Sequence, residues 1–571
     1  GICETVPACS DSYEFARKAL DALDVTPVVS ERDLKAIPSS GPAVVIANHP
    51  FGGVDGLILA SVLSSARKDI RILVNYFLGA IPDLQPIFFL VDPFGRKDSP
   101  SKNMAAMRKA LRWVRKGGML VVFPAGEVSH LTWKSRKVQD SPWSEAAARL
   151  IHLTQAPVVP VFFEGRNSGL FQAAGLIHPR LRTLMLPREL LRKRASRVRL
   201  RIGNSIPYRR LKVFETASDL NDYLRFRTDL LRYSLLEGKR RIPIPLKIKR
   251  PVGRAKKVIC QQDPLLLRRE VETLPRSQKL AGSNGFEVYF ARANQAPRLL
   301  QEIGRLREET FRLAGEGTGK SVDLDRFDNI YLHLFVWNRD RHEVVGAYRM
   351  GATDDILKRH GRKGLYTQTL FKYRPALLRE INPALELGRS FVRKEYQRSY
   401  SPLLLLWKGI GQYVAAYPRY RVLFGAVSIS NDYHSYSRQL MVAFLNMNRS
   451  LPDLQGMVKP RKPFRQKKVK AMRWVSKDPD GGIEELSSWI SGVERDGKGV
   501  PILLKQYLKL GGSLLSFNVD RKFKNALDGL VLVDLTLTDP KTLRRYMGDE
   551  GYDSFIRYNT ERSLRLKGCM G

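Results

Sequence analysis

The segment Asn48-His49-Pro50-Phe51-Gly52-Gly53-Val54-Asp55 sets an imidazole and a carboxyl a few residues apart. An aspartate beside a histidine fixes the ring tautomer and stabilises the imidazolium, so the neutral ring can take a proton from a hydroxyl near pH 7. His49 is therefore a candidate general base and Asp55 its partner, against the plainer reading of a structural His–Asp pair. The intervening glycines let a substrate approach the backbone. Further on, Ala314-Gly315-Glu316-Gly317-Thr318-Gly319-Lys320-Ser321 looks like a loop whose N–H groups cradle phosphate, but Ala314 stands where the first glycine is required. It also follows a helical pattern rather than a strand, so no nucleotide site is expected there.

These groups need rigid elements to hold them. Residues 41 to 245 alternate β-branched runs with helical stretches, the pattern of an α/β layer fold. Ala43–Ala47, Ile70–Val74, Met119–Phe123 and Val158–Phe163 read as buried strands, and Gly56–Ala66 and Asn103–Lys116 as helices. The first of these strands ends just before His49. Residues 239 to 257 hold nine Lys or Arg, three Pro and no acid, which reads as a basic linker. A linker over 239–284 would separate one domain at 1–238 from another at 285–571. In the second, Pro297–Leu313 reads as a helix with Pro297 in its first turn and Asn294 as a cap. Tyr331–Trp337, Glu343–Met350, Leu385–Val392 and Val422–Ser430 read as strands, and Ser401–Tyr417 as a helix, again α/β.

At roughly 100–200 residues per domain, 571 residues fit two large domains or three ordinary ones. A hydrophobic content of 43% excludes wholesale disorder. Four scattered cysteines exclude a disulfide framework and show no metal-ligand spacing. Lys plus Arg is 97 against 56 for Asp plus Glu, a net charge of +41, so a polyanionic partner is expected: nucleic acid, an anionic membrane surface or an acidic protein. No run of about 18 apolar residues predicts a transmembrane helix, and Gly1–Arg17 reads as neither a signal nor a transit peptide. Between residues 176 and 201, Leu181, Leu184, Met185, Leu190 and Leu191 interleave with Arg180, Arg182, Arg188, Arg192, Lys193, Arg194 and Arg197. That mixture predicts an interfacial segment, where each basic residue near an anionic leaflet is worth about 1 kcal/mol; a solvated helix face is the competing reading.

Three blocks follow that of His49 in order: Asp92-Pro93-Phe94-Gly95-Arg96-Lys97, Phe123-Pro124-Ala125-Gly126-Glu127-Val128-Ser129, and the apolar-Pro run Pro157 to Gly165. Through these blocks the chain resembles the glycerolipid acyltransferase superfamily over roughly residues 40 to 230. The resemblance implies O-acyl transfer, with His49 as base, Asp55 as its partner, and Asn48, Arg96, Gly126 and Glu127 on the acceptor side. Two departures stand out. The family's acid falls where this chain has Val54, so a Gly-Gly turn must absorb one residue before Asp55 can serve. The family's FPEG glutamate is Ala125, with Glu127 nearby, which implies an acceptor other than a glycerol phosphate.

Arg307 to Phe311, Asp323 to Asp328, Tyr331 to Leu334, Val345 to Arg349, Glu386 to Val392 and the tail Tyr507 to Asp534 form a second ordered set. This set resembles the ornithine N-acyltransferase branch of the GNAT-like acyltransferases over roughly residues 286 to 540. There an amine must lose a proton and attack a thioester, and Glu386 on its strand is the candidate base, or else a partner for Arg389. Glu309, Asp325 and Asp328 are candidates to hold a cationic amino acid, with turn and cap chemistry as the plainer reading. Arg349 and Arg389 would clasp its carboxylate or pair with Glu386. Gln397-Arg398-Ser399-Tyr400-Ser401-Pro402 replaces the usual pantetheine loop, which is compatible with an acyl-carrier-protein donor. Together the halves resemble bifunctional ornithine lipid synthases. That implies N-acylation of ornithine by a 3-hydroxyacyl group, then O-acylation of the new hydroxyl; glycine, glutamine and lysine stay open as acceptors. The implied donor is an acyl carrier protein with its phosphopantetheine thioester, with no metal and no bound cofactor. The implied setting is an anionic membrane surface, peripheral to the inner face of a bacterial membrane, without nucleic acid. Two other readings stay open: one live unit beside a degenerate one, and a non-enzymatic basic binding protein.

Overall fold

Runs of aliphatic and β-branched residues set the strands, and the chain divides into two compact units, Gly1–Pro243 with Ser487–Gly499 and Ile244–Leu486 with Val500–Gly571. The structure, a computed structural model, describes residues 9–92, 99–132, 136–236, 256–397, 401–467, 469, 479–521 and 523–568.

The first unit is built on a seven-stranded sheet: β1 (Val25–Val28), β2 (Ala43–Ala47), β3 (Ile70–Asn75), β4 (Phe88–Val91), β5 (Met119–Val122), β6 (Val158–Phe163) and β7 (Ser196–Ile202), in the order β1-β7-β6-β2-β5-β3-β4. Every pair is parallel except β6–β7. Central β2 is buried at all its residues, as expected of a parallel strand covered on both faces. It feeds α1 (Gly53–Leu63) through the His49 turn, so the histidine sits at the carboxyl end of the middle strand, where such sheets open a crevice. Helix α1 starts three residues before the expected Gly56. The Asp55 carboxylate accepts from Phe51 N at 2.9 Å and Gly52 N at 3.1 Å, closing the first turn, and Gly52 (φ +87°) makes the bend.

The stretch read as one interfacial segment is broken into α2 (Gly169–Ile177), α3 (Pro179–Leu184) and α4 (Leu186–Arg192), followed by β7. Pro179 and Pro187 lack an N–H and sit in first turns, and His178 before Pro179 is extended. Ser487–Gly499 returns to this unit: Trp489 is fully buried, edge-on to Phe226 with ring centroids 5.0 Å apart.

The second unit is an eight-stranded sheet: β8 (Lys279–Ser283), β9 (Phe286–Arg292), β10 (Leu332–Asn338), β11 (Glu343–Ala352), β12 (Ala384–Val392), β13 (Val422–Ile429), β14 (Ser513–Asp520) and β15 (Ala526–Asp534), in the order β8-β9-β10-β11-β12-β13-β15-β14. All pairs are antiparallel except β12–β13. Helix α5 (Pro264–Glu272) lies inside the stretch expected to be linker. Its Leu267 and Val271, four apart, enter the same core as Leu299, Ile303 and Leu306 of α6 (Pro297–Leu313). Pro297 takes the first turn of α6 as expected, but Ala296, not Asn294, stands at the cap. Residues 401–416 form the expected helix.

The parallel pair is short. Ala384, Leu385 and Glu386 register with Val422, Leu423 and Phe424, and there the pairing ends. At Gly425 an added Cβ would lie 2.1 Å from the Leu387 carbonyl oxygen, so only glycine fits before the strands part. Among the described residues no helix is long and apolar enough to cross a membrane.

Candidate functional site

In the first unit, the site grows from the end of β2. Asn48 bridges to β6 with both ends of its amide, donating to Phe163 O at 3.0 Å and accepting from Phe163 N at 2.7 Å. Those bonds tie Asn48 to β6 and anchor the turn that carries the histidine. His49 Nδ1 lies 2.9 Å from Asp55 Oδ2, and Asp55 is wholly buried. The extra residue is thus absorbed in the glycine turn, and the expected partners meet. Burial pushes the Asp55 carboxyl above its usual range, against the pull of His49 and of the Phe51 and Gly52 N–H groups. The His49 ring leans on Phe123 with centroids 4.2 Å apart. Asp140 was not singled out in the sequence and fixes the same loop: it accepts from His49 N at 3.3 Å, Trp143 Nε1 at 3.0 Å and Ser129 Oγ. It lies far along the chain in a stretch without periodicity, so no pattern marks it.

Gly126 (φ +67°) closes a turn through Gly126 N to Phe123 O at 3.0 Å and is exposed. Glu127 is ion-paired with Arg182 and accepts from Ser141 Oγ. Arg96 lies outside the described residues. Two expected surface cations turn inward instead. Arg182 is buried by its pairing with Glu127, and Lys193 stacks its ammonium 4.0 Å from the Phe51 ring. Arg188, Arg192 and Arg194 are exposed, beside exposed Leu181, Leu184 and Leu191. The side chain of Arg180 is outside the described residues.

In the second unit, the residues flagged on β11, on β12 and between α6 and β10 do converge, but on one another. Arg349 Nη1 is 2.8 Å from Asp325 and 3.3 Å from Asp328; Arg307 Nη1 is 2.8 Å from Asp328; Arg389 lies 3.5 Å from Asp323 and 3.6 Å from Asp325. Three guanidiniums neutralise three carboxylates in a mostly buried cluster, with Asp325 partly exposed. Against burial, Arg307 and Arg349 hold the Asp328 carboxyl well below its usual range, and burial keeps His333 neutral with its pKa lowered to about 4. Asp325, Asp328 and Arg349 thus hold one another. Glu309 sits on the exposed face of α6, paired with Arg305. Its neighbour Glu308 is buried and accepts from Thr318 N at 3.0 Å and Gly319 N at 2.8 Å. The glycine-rich loop thus spends these N–H groups on its own carboxylate.

Glu386 is 1% exposed and accepts from Tyr331 Oη, from Tyr366 N at 3.2 Å and from Thr367 N at 2.6 Å. With these bonds it anchors the 366–367 segment.

The opening lies beyond Glu386, where β12 and β13 part. A cavity of about 150 Å³ is lined there by Tyr366, Arg389, Ser428, Asp520, Asp528 and Glu316, among others. A β-bulge opposite Ala347–Arg349 and a left-handed Arg389 (φ +52°) aim its guanidinium into this space, a strain of about 1–3 kcal/mol of the kind that collects at functional sites. Asp520 and Asp528 come from the β14–β15 hairpin, and Ser428 Oγ lies 3.2 Å from Asp528 Oδ1. Burial and the Asp520 carboxylate push Asp528 up to about 8, and burial with Asp432 pushes Glu316 to about 7. Burial beside neighbouring carboxylates thus disfavours the charged forms of Asp528 and Glu316. An arriving ammonium would let them ionise, and an acid with a pKa near neutrality is suited to taking its proton. Among the described residues no cluster of His, Cys, Asp or Glu is spaced to hold a metal ion.

Comparison with known proteins supplies the chemistry. Residues 11–238 match the family model described as Acyltransferase, and residues 306–408 that described as Acetyltransferase (GNAT) domain. A glycine N(alpha)-acyltransferase of Phocaeicola vulgatus is 34% identical over 242 residues, covering 40% of this chain and 74% of that protein. One from Bacteroides thetaiotaomicron is 30% identical over 291 residues, covering 48% of this chain and 86% of that protein. A lyso-glycine lipid O-acyltransferase of Phocaeicola vulgatus is 27% identical over 220 residues, covering 37% of this chain and 75% of that protein.

Proposed function

The chain belongs to the acyltransferase family of these glycine N(alpha)-acyltransferases, and from that premise we propose that it builds an amino-acid-headed lipid by two transfers, one in each unit. In the GNAT-type unit, an amino acid places its ammonium among Asp528, Asp520 and Glu316. Asp528 takes a proton, the freed amine attacks the carbonyl of a 3-hydroxyacyl thioester, and the C–S bond breaks with release of the thiol. In the other unit, His49 takes the proton of the acyl chain's hydroxyl as that oxygen attacks a second thioester, Asp55 steadies the imidazolium, and the C–S bond breaks as the imidazolium returns the proton to the leaving thiolate.

The observation that carries this reading is the pair of carboxyl groups, Asp528 and Glu316, that burial holds above their usual range at the opening between β12 and β13, which suits an amine acceptor. The second of these carboxyl groups suits a second ammonium, as in ornithine; the names of the relatives favour glycine. Mass spectrometry of lipids from a host expressing the chain is expected to show a new two-chain lipid whose head-group mass names the amino acid. A host with no such lipid, in the presence of folded protein, would sink the reading.

For the setting, we read the exposed apolar and basic side chains of α3 and α4 as a contact with an anionic bilayer on the inner face of a bacterial membrane. Reversing Arg188, Arg192 and Arg194 to Glu is expected to cut pelleting with anionic vesicles severalfold, at about 1 kcal/mol per charge. Tighter retention on DNA than on vesicles would instead support a nucleic-acid partner.

A further inference from the structure

Across the segment Tyr366–Leu370 from the acid-lined cavity runs a groove of about 460 Å³ with the opposite character. Arg326, Arg362, Lys363, Lys372 and Arg461 line it, and among the described residues no carboxylate does. The five come from four separate stretches of the chain and are all exposed. Two are oriented by backbone: Arg461 Nε donates to Gln368 O at 2.8 Å and Arg326 Nη2 to Lys363 O at 3.3 Å. Among the described residues none of the five has a carboxylate within 4.0 Å, although most buried cations of this unit are paired. A cluster of unpaired like charges repels itself and is held at a cost unless an anionic partner relieves it.

We propose that this groove docks the acidic carrier protein that brings the acyl thioester to the cavity on the other side of Tyr366–Leu370. The proposal rests on the reading of that cavity as the amine-acylation site. Three features favour a protein over a free nucleotide thioester or a bilayer. The cations are exposed and spread out, with no buried donors converging on one phosphate. The glycine-rich loop, the obvious cradle for a pyrophosphate, has the N–H groups of Thr318 and Gly319 committed to Glu308. The groove's rim also carries none of the large exposed apolar side chains that an interfacial surface needs, unlike α3 and α4. A broad acidic surface meeting a broad basic one gives steering and register rather than tight grip, as befits a carrier that must leave after delivery.

The test uses the full chain and an acyl carrier protein loaded with a 3-hydroxyacyl thioester. Turnover of a small N-acetylcysteamine thioester by the unaltered chain establishes the cavity reading without any carrier, so failure there is distinguishable from failure of docking. The triple variant Arg362→Glu, Lys363→Glu, Lys372→Glu, checked for an unaltered thermal melt, is then compared by fluorescence anisotropy with labelled carrier and by KM for the loaded carrier. Both constants are expected to rise about tenfold or more, and the strong salt dependence of the unaltered chain to flatten. Should the melt fall, the single variant Lys372→Glu serves, with a proportionately smaller rise. Unchanged carrier binding overturns the proposal. So does loss of binding to anionic vesicles with carrier binding intact, which would assign the groove to the membrane.

Discussion

Asp528→Asn is expected to abolish amine acylation while making the protein more stable at alkaline pH. A positioned general base contributes about 10²–10⁴ in rate, and the amide keeps the side chain's size and a partner for Ser428 while losing the ability to take a proton. The stability effect follows from the direction of the shift. Asp528 titrates near 8 in the folded chain, far above an ordinary aspartate, because burial and Asp520 oppose its charge. The folded state therefore holds a proton that the unfolded chain releases, and stability present below the ordinary carboxyl range is lost as pH rises toward 8. An asparagine has no such proton to lose. The melting temperatures of variant and parent should lie close together near pH 4 and diverge in favour of the variant toward pH 8, by a few kcal/mol in order of magnitude. For the parent, the rate of amine acylation should climb through the same pH range. A variant that keeps acylation within a few-fold, or a melting difference that ignores pH, would remove Asp528 from the reaction.

How much of this was legible depends on how far apart in the chain the partners lie. Val44, Val45 and Ile46, or Val121 and Val122, announce buried strands because burial on both faces demands an unbroken apolar run. His49 and Asp55 were legible because one strand end and one helix turn hold both, and even the extra residue was accommodated by a glycine that can take φ +87°. The acid-lined cavity was not. Glu316 follows α6, Arg389 sits on β12 and Asp528 on β15, and only the strand order β12-β13-β15 brings them together. Glu386 shows the converse. A lone acid in an apolar strand reads as a base, yet the N–H groups of Tyr366 and Thr367 that satisfy it belong to a turn with no sequence signature. The basic stretch before β7 shows the same limit on a surface: composition counted Arg182 and Lys193 among the exposed cations, while Glu127 and the Phe51 ring draw both inward.

His49→Ala and Asp55→Ala should separate the chemistry of the first unit from its folding. Removing the imidazole deletes the proposed base, so O-acylation of a supplied mono-acyl lipid is expected to fall by about 10²–10⁴. A host expressing this variant should accumulate the single-chain product in place of the two-chain lipid. The ring is partly exposed and packs on Phe123 from one side, and the turn below it is closed by Asp55 without it, so the melt should barely move. Asp55→Ala is the contrasting case. A single carboxylate oxygen, Oδ2, accepts from Phe51 N and Gly52 N and faces His49 Nδ1, so truncation takes that partner from both N–H groups at once. Each buried N–H left without a partner costs about 1–3 kcal/mol, so this variant should lose activity and melt several degrees lower. A two-chain lipid made at the normal level by His49→Ala would assign the second transfer elsewhere. An unmoved melt in Asp55→Ala would show that the glycine turn, and not the carboxylate, holds the start of α1.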